Sequence, residues 1–158
     1  MPDAEEIPVL KGLLKRAIGS VYAESPCLLQ MEGLEQALVF RVGIYLQELI
    51  NDSDVLASLN LDCEYNKNLD ETKRTVNFQD GIRPDLLIHK RGSHAENKLA
   101  VEFKGWWNKK PNKDIQKLKD LTNNAHDYQY RLGAFVVFHK QHPEYRFFQN
   151  GEEESEHD

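Results

Sequence analysis

Arg83-Pro84-Asp85-Leu86-Leu87-Ile88-His89, a polar connection, and Leu99-Ala100-Val101-Glu102-Phe103-Lys104 decide how this chain folds. Each half is a short apolar run, and each carries charge that a buried strand normally avoids. Positions i and i+2 of a strand point to the same face. Glu102 and Lys104 therefore share one side, and Val101 and Phe103 take the other. The connection Lys90-Arg91-Gly92-Ser93-His94-Ala95-Glu96-Asn97 has hairpin composition. If the two runs, 83–89 and 98–105, pair as a hairpin, Asp85 joins the charged cluster. Lys, Glu and Asp are rarely buried unless paired or bound to a metal. Two carboxylates with a lysine beside them suit Mg²⁺ and phosphate chemistry.

Working outward, the next stretch is Gly105-Trp106-Trp107-Asn108-Lys109-Lys110-Pro111. Aromatics interleaved with lysines can stack on bases and hold phosphates. Equally, one Trp can pack in the core while Lys109 and Lys110 solvate a loop. Residues 113–124 read as a helix with Asn112 as N-cap and Ile115, Leu118 and Leu121 on its apolar side. Lys117 lies near that side, within reach of the charged cluster. Gly133-Ala134-Phe135-Val136-Val137-Phe138 reads as a strand buried on both faces. Tyr145-Arg146-Phe147-Phe148 adds a short edge strand. The eight residues from Gly151 hold five acids and no Lys or Arg. They read as a disordered acidic tail, 151–158, behind a single domain, 1–150.

Toward the N-terminus, Leu61-Asp62-Cys63-Glu64-Tyr65-Asn66 alternates as a strand, and 67–81 reads as a long turn or mobile loop. Glu64 either faces the site or lies on a solvated strand face. Residues 29–51 read as a long helix with Leu38, Val39, Val42, Leu46, Leu49 and Ile50 on its apolar stripe. Glu35 lies on that stripe, within about 20° of Val42. It either sits in the first turn, favoured by the helix dipole and near water, or completes the acidic cluster. Arg41 and Tyr45 flank it. Residues 8–24 read as a packing helix that starts near Pro8 and is ended by Pro26.

The net charge of −6 argues at first against a nucleic-acid partner, but residues 98–119 carry a local net of +5. That basic strip is compatible with phosphate binding. Cys27 and Cys63 form no metal spacing and read as reduced thiols of a cytoplasmic protein. The six histidines show no zinc-ligand pattern. No apolar run is long enough to span a membrane, and Met1-Pro2-Asp3-Ala4-Glu5-Glu6 has no signal-peptide character.

Pro84-Asp85, a spacer, then Glu102-Phe103-Lys104 resembles the motif of the PD-(D/E)XK nuclease superfamily, which has the restriction-endonuclease-like fold. The resemblance covers roughly residues 29–139. Asp114-Ile115-Gln116-Lys117-Leu118 looks like the helix motif of many uncharacterised bacterial members, and Asp62-Cys63-Glu64-Tyr65-Asn66 with Arg83-Pro84-Asp85 is similar to the same group. The resemblance implies an α/β fold with an αβββαβ core, a mixed central sheet flanked by helices, and one extra N-terminal helix. It implies a nuclease acting on nucleic acid, DNA being the expected substrate. Asp85, Glu102 and the Phe103 carbonyl would hold Mg²⁺ or Mn²⁺, with Glu35 contributing through a water or a second ion. Lys104 would orient or deprotonate the attacking water. Lys117, Trp106, Trp107, Lys109 and Lys110 would hold the nucleic acid. A homodimer or a larger complex is compatible with this reading. Two rivals stand beside it. One is a nuclease-like binding module that no longer cuts. The other is an ordinary α/β protein whose Asp85, Glu102 and Lys104 form a structural ion-pair network.

Overall fold

Strand parity in the Arg83–Lys104 stretch is realised as an antiparallel pair at the middle of a six-stranded sheet. In the computed structural model, which describes residues 3–69, 71–110 and 112–155, β4 (Leu86–His89) pairs with β5 (Leu99–Gly105) with Leu86 opposite Val101. On the far side of β4 lies β1 (Asn60–Cys63), antiparallel. On the far side of β5 lies β6 (Leu132–Phe138), parallel, reached through helix α4 (Asn112–Thr122). A parallel neighbour requires such a crossover. β7 (Pro143–Gln149) and β8 (Glu152–Glu153) follow antiparallel, giving the order β1-β4-β5-β6-β7-β8. The protein is thus α/β with a mixed sheet flanked by helices.

Period two divides the core. Leu86, Ile88, Leu99, Val101, Phe103, Ala134, Val136 and Phe138 face helices α1 (Asp3–Glu24), α2 (Pro26–Gln30) and α3 (Glu35–Asn51). Leu87, Ala100 and Phe135 face α4 through Leu118 and Leu121. Phe103 stacks on Phe138 at 5.4 Å between ring centroids, which ties β5 to β6 beneath α3. Truncating such a fully buried phenylalanine to alanine costs about 3–5 kcal/mol. So the face opposite Phe103, which carries Glu102 and Lys104, is fixed by the packing of its neighbours.

Several expected boundaries move. α1 starts at Asp3, not near Pro8, and contains Pro8 in its interior. Proline forfeits one backbone bond there, but Leu10, Leu14, Ile18 and Val21 are fully buried, and packing decides the helix. The expected helix 29–51 is two helices. Gly33 adopts φ +87°, a conformation that glycine takes without strain, and the chain turns before Glu35. Pro26 does not only end α1; it opens α2 as a first-turn proline. β1 stops at Cys63 because Glu64 takes φ +50°.

The described residues of 67–81 are more than a turn or loop and carry paired strands. Lys67–Asn68 (β2) and Glu71–Thr72 (β3) form a small hairpin, Thr75 bridges Phe78, and Lys73 is 3 % exposed. β7 is longer than expected and lies inside the sheet, because β8 pairs along it. The supposedly disordered tail folds back through Asn150 and Gly151, both at positive φ, and Glu154 pairs with Lys11 at 2.5 Å. The rest of that tail, 156–158, lies outside the described residues. No described helix is long and apolar enough to cross a membrane, and Cys27 and Cys63 are exposed and free.

Candidate active site

The site forms where β4 begins and β5 runs on. Leu86 is the first paired residue of β4, so β5 beyond Val101 has no strand on that flank. Its backbone donors there are taken by side chains. The Phe103 N–H donates to Asp85 Oδ2 at 2.7 Å, and the Gly105 N–H donates to Glu35 Oε2 at 3.2 Å. A residue's N–H and C=O point to the same side of a strand. The Phe103 carbonyl therefore lies on this flank, between the two carboxylates.

Asp85 and Glu102 meet across the pair. Glu102 is 2 % exposed and is hydrogen-bonded to Asp85. Burial first, and the Asp85 charge second, push the Glu102 pKa well above the usual glutamate value. Burial also raises Asp85, although hydrogen bonds from the Phe103 amide and with Glu102 pull it down; the charges of Glu35 and Asp114 add to the rise. Both carboxyls are thus held above their ordinary range, Glu102 the more strongly. The other Glu102 oxygen, Oε1, is buried and takes no hydrogen bond; Lys117 Nζ stands 3.8 Å away.

Lys104 lies on the same face as Glu102, as strand parity requires. Its Nζ contacts Asp114 Oδ2 at 3.0 Å. Burial works against the ammonium, but Asp114, then Glu35 and Asp85, outweigh it and hold the pKa above the ordinary lysine value. Lys117 Nζ contacts the other Asp114 oxygen at 3.4 Å. Asp114, in the first turn of α4, is 6 % exposed and holds both lysines. The sequence shows Asp114 only as part of a helix motif; its contact with Lys104 spans α4 and β5 and has no local signal.

Glu35, Val39, Phe40, Cys63, Glu64 and Asp85 line an open groove of about 310 Å³ beside this cluster. Glu64 is exposed at its rim. Arg41 is also exposed, and Tyr45 packs against the core. Trp106 and Trp107 are tethered by the scaffold. The Trp106 indole donates to the Leu29 carbonyl at 2.8 Å, and the Trp107 ring lies so close to Gly105 that a Cβ there would sit 2.3 Å from it. Lys109 and Lys110 are exposed. Among the described residues, no group of three or more His, Cys, Asp and Glu side chains is arranged to hold a metal ion. Asp85 and Glu102 form the closest carboxyl pair, and Glu35 lines the same groove as Asp85, held on the Gly105 amide two residues beyond Phe103. No family model, curated protein or solved structure matches the chain.

Proposed function

We propose that this protein is a divalent-metal-dependent nuclease of the PD-(D/E)XK type, with DNA as its substrate. The observation that carries the reading is the buried carboxyl pair Asp85–Glu102, with Glu102 Oε1 making no hydrogen bond and lying 3.8 Å from the Lys117 ammonium, and a second ammonium, Lys104, on the same face. A buried carboxylate oxygen without a partner is costly unless something else occupies its lone pairs. The order α3-β1-β4-β5-α4-β6 supports the αβββαβ core of the restriction-endonuclease-like fold.

The residues fit Mg²⁺ or Mn²⁺. Asp85, Glu102 and the Phe103 carbonyl would hold it, with Glu35 beside them, and Mg²⁺ retains enough waters for few protein ligands to suffice. A bound ion would lower the pKa of a water and offset charge on the reacting phosphate. Lys104 would orient that water and stabilise the charge that develops. Its raised pKa keeps it an ammonium, which favours this role over deprotonating the water. A second reading is favoured by the absence of a three-ligand group among the described residues: a nuclease-like module that binds without cutting.

Titration calorimetry with Mn²⁺, run beside cleavage of plasmid DNA, separates the two. Wild type should bind and cut, E102Q should do neither, and Lys104→Ala should bind the ion without cutting. Binding without cleavage by any form would favour the module. Equal cleavage by wild type and Lys104→Ala would overturn the assignment of Lys104.

A further inference from the structure

We propose that Lys104 and Lys117 form a subsite for a backbone phosphate of the nucleic acid, and that Asp114 occupies it in the free protein as an internal stand-in for that anion. The ligand rests on the nuclease reading, but the geometry stands without it. One carboxylate takes two ammonium groups, one on each oxygen, at 3.0 Å from Lys104 and 3.4 Å from Lys117. Two non-bridging oxygens of a phosphodiester would present the same two acceptors to the same two donors.

The lysines come from different elements, β5 and α4, and Asp114 joins them. Their side chains are 19 % and 22 % exposed, whereas that of Asp114 is 8 % exposed. Both lysine side chains are thus more open to water than the carboxylate they share. Two positive charges against one negative leave the trio itself with an excess of one, set beside Glu102, 3.8 Å from Lys117, and the Glu35 and Asp85 charges that act on Lys104. The approach is basic as well, since Lys109, Lys110 and Lys113 are exposed along the chain that enters α4. When phosphate takes the lysines, Asp114 remains in the first turn of α4. A carboxylate is favoured there by the helix dipole and by amides that lack helical partners, so its release is not a stranded charge.

The test is affinity for a short fluorescein-labelled DNA duplex, measured by anisotropy in EDTA over a series of salt concentrations. D114N removes the competitor and frees both lysines. It should tighten binding about tenfold at low salt and steepen the log–log salt dependence by about 2, close to 0.9 for each ammonium released. Adding K117M to D114N should remove about half of that added slope. K104M/K117M, which keeps both apolar stems and leaves no new donor to bury, should weaken binding relative to wild type and flatten the slope.

Unchanged affinity and slope in D114N would overturn the proposal, as would unchanged slope in K104M/K117M should D114N fail to fold. D114N that binds as wild type but cuts more slowly would make Asp114 a positioning residue for Lys104, and the subsite would fall. Tighter binding by D114N with no cleavage by any form would uphold the subsite and sink the hydrolase. Wild-type cleavage with no effect of D114N on binding would do the reverse.

Discussion

Two carboxylates face the same layer of the protein and are almost equally buried, yet they live in opposite circumstances. Asp120, on α4, is 4 % exposed; Glu102, on β5, is 2 % exposed. Asp120 accepts from Thr75 Oγ1 at 2.6 Å, from Asn77 Nδ2 at 2.8 Å and from Gln116 Nε2 at 2.8 Å. Those bonds pin the folded 67–81 segment onto α4. Glu102 is hydrogen-bonded to Asp85, while its Oε1 makes no hydrogen bond and has only the Lys117 ammonium, 3.8 Å away. A satisfied buried acid holds a fold together. An unsatisfied one lowers stability and is retained where it serves another purpose.

That contrast can be broken in order of effect. E102Q should lower DNA cleavage at least about 100-fold and remove measurable Mn²⁺ binding, because an amide cannot give up a proton to become the anionic ligand an ion requires. Undiminished cleavage by E102Q would dissolve the distinction. D120N should destabilise the protein by about 2–4 kcal/mol in urea unfolding, since it turns a three-way acceptor into a group with its own donors facing donors. It should leave metal binding intact. A loss of metal affinity in D120N with unchanged stability would reverse the roles of the two acids.

A third test uses Lys73, the buried cation of the same layer. It is caged by the rings of Tyr128, Tyr130 and Tyr65, at 4.5, 5.7 and 5.8 Å. Burial brings its pKa down to about 8. Between that value and the ordinary lysine value the unfolded chain binds more protons than the folded one. Stability should therefore rise with pH from about 8 toward 10, by up to about 2–3 kcal/mol. Above about 10 the buried phenols reverse the trend. Burial raises Tyr22, Tyr128, Tyr130 and Tyr145, the last to about 12, and the stability that this confers is lost once unfolded tyrosines ionise. K73M should abolish the rise and keep the fall; a K73M profile identical to wild type would exclude Lys73 as the cause. The smallest effect returns to Glu102. E102Q should change unfolding stability by no more than about 1 kcal/mol, because the amide keeps the size of the carboxyl and can keep the hydrogen bond to Asp85. A loss comparable with D120N would mean that Glu102 is structural.

Much of the centre was legible because its signals are local. The i, i+2 parity of Glu102 and Lys104 places both on the α4 face, and hairpin composition brings Asp85 opposite Glu102. The apolar run at Gly133–Phe138 reads directly as the buried β6. What escaped reading is set by tertiary contact or by backbone conformation at a single residue. The apolar stripe continues from α2 toward α3 across a break that only the φ of Gly33 decides. Asn150-Gly151 is a strong two-residue hairpin signal, but the acids behind it read as a tail by composition. Glu35 reads as a third member of the acid cluster, whereas the vacant flank of β5 captures it on the Gly105 amide. Asp114 finds Lys104 only once α4 has crossed over the sheet.

The turn at Asn150-Gly151 has a consequence for the life of the protein outside its site. β7 is seven residues long and would otherwise be the outermost strand, its backbone donors and acceptors open to any passing chain. Glu152 and Glu153 cover part of that row with a strand too short and too acidic to recruit another. The same few residues that look dispensable by composition therefore act as a gatekeeper against aggregation. A chain ending at Gln149 is expected to remain folded yet to associate and precipitate on standing.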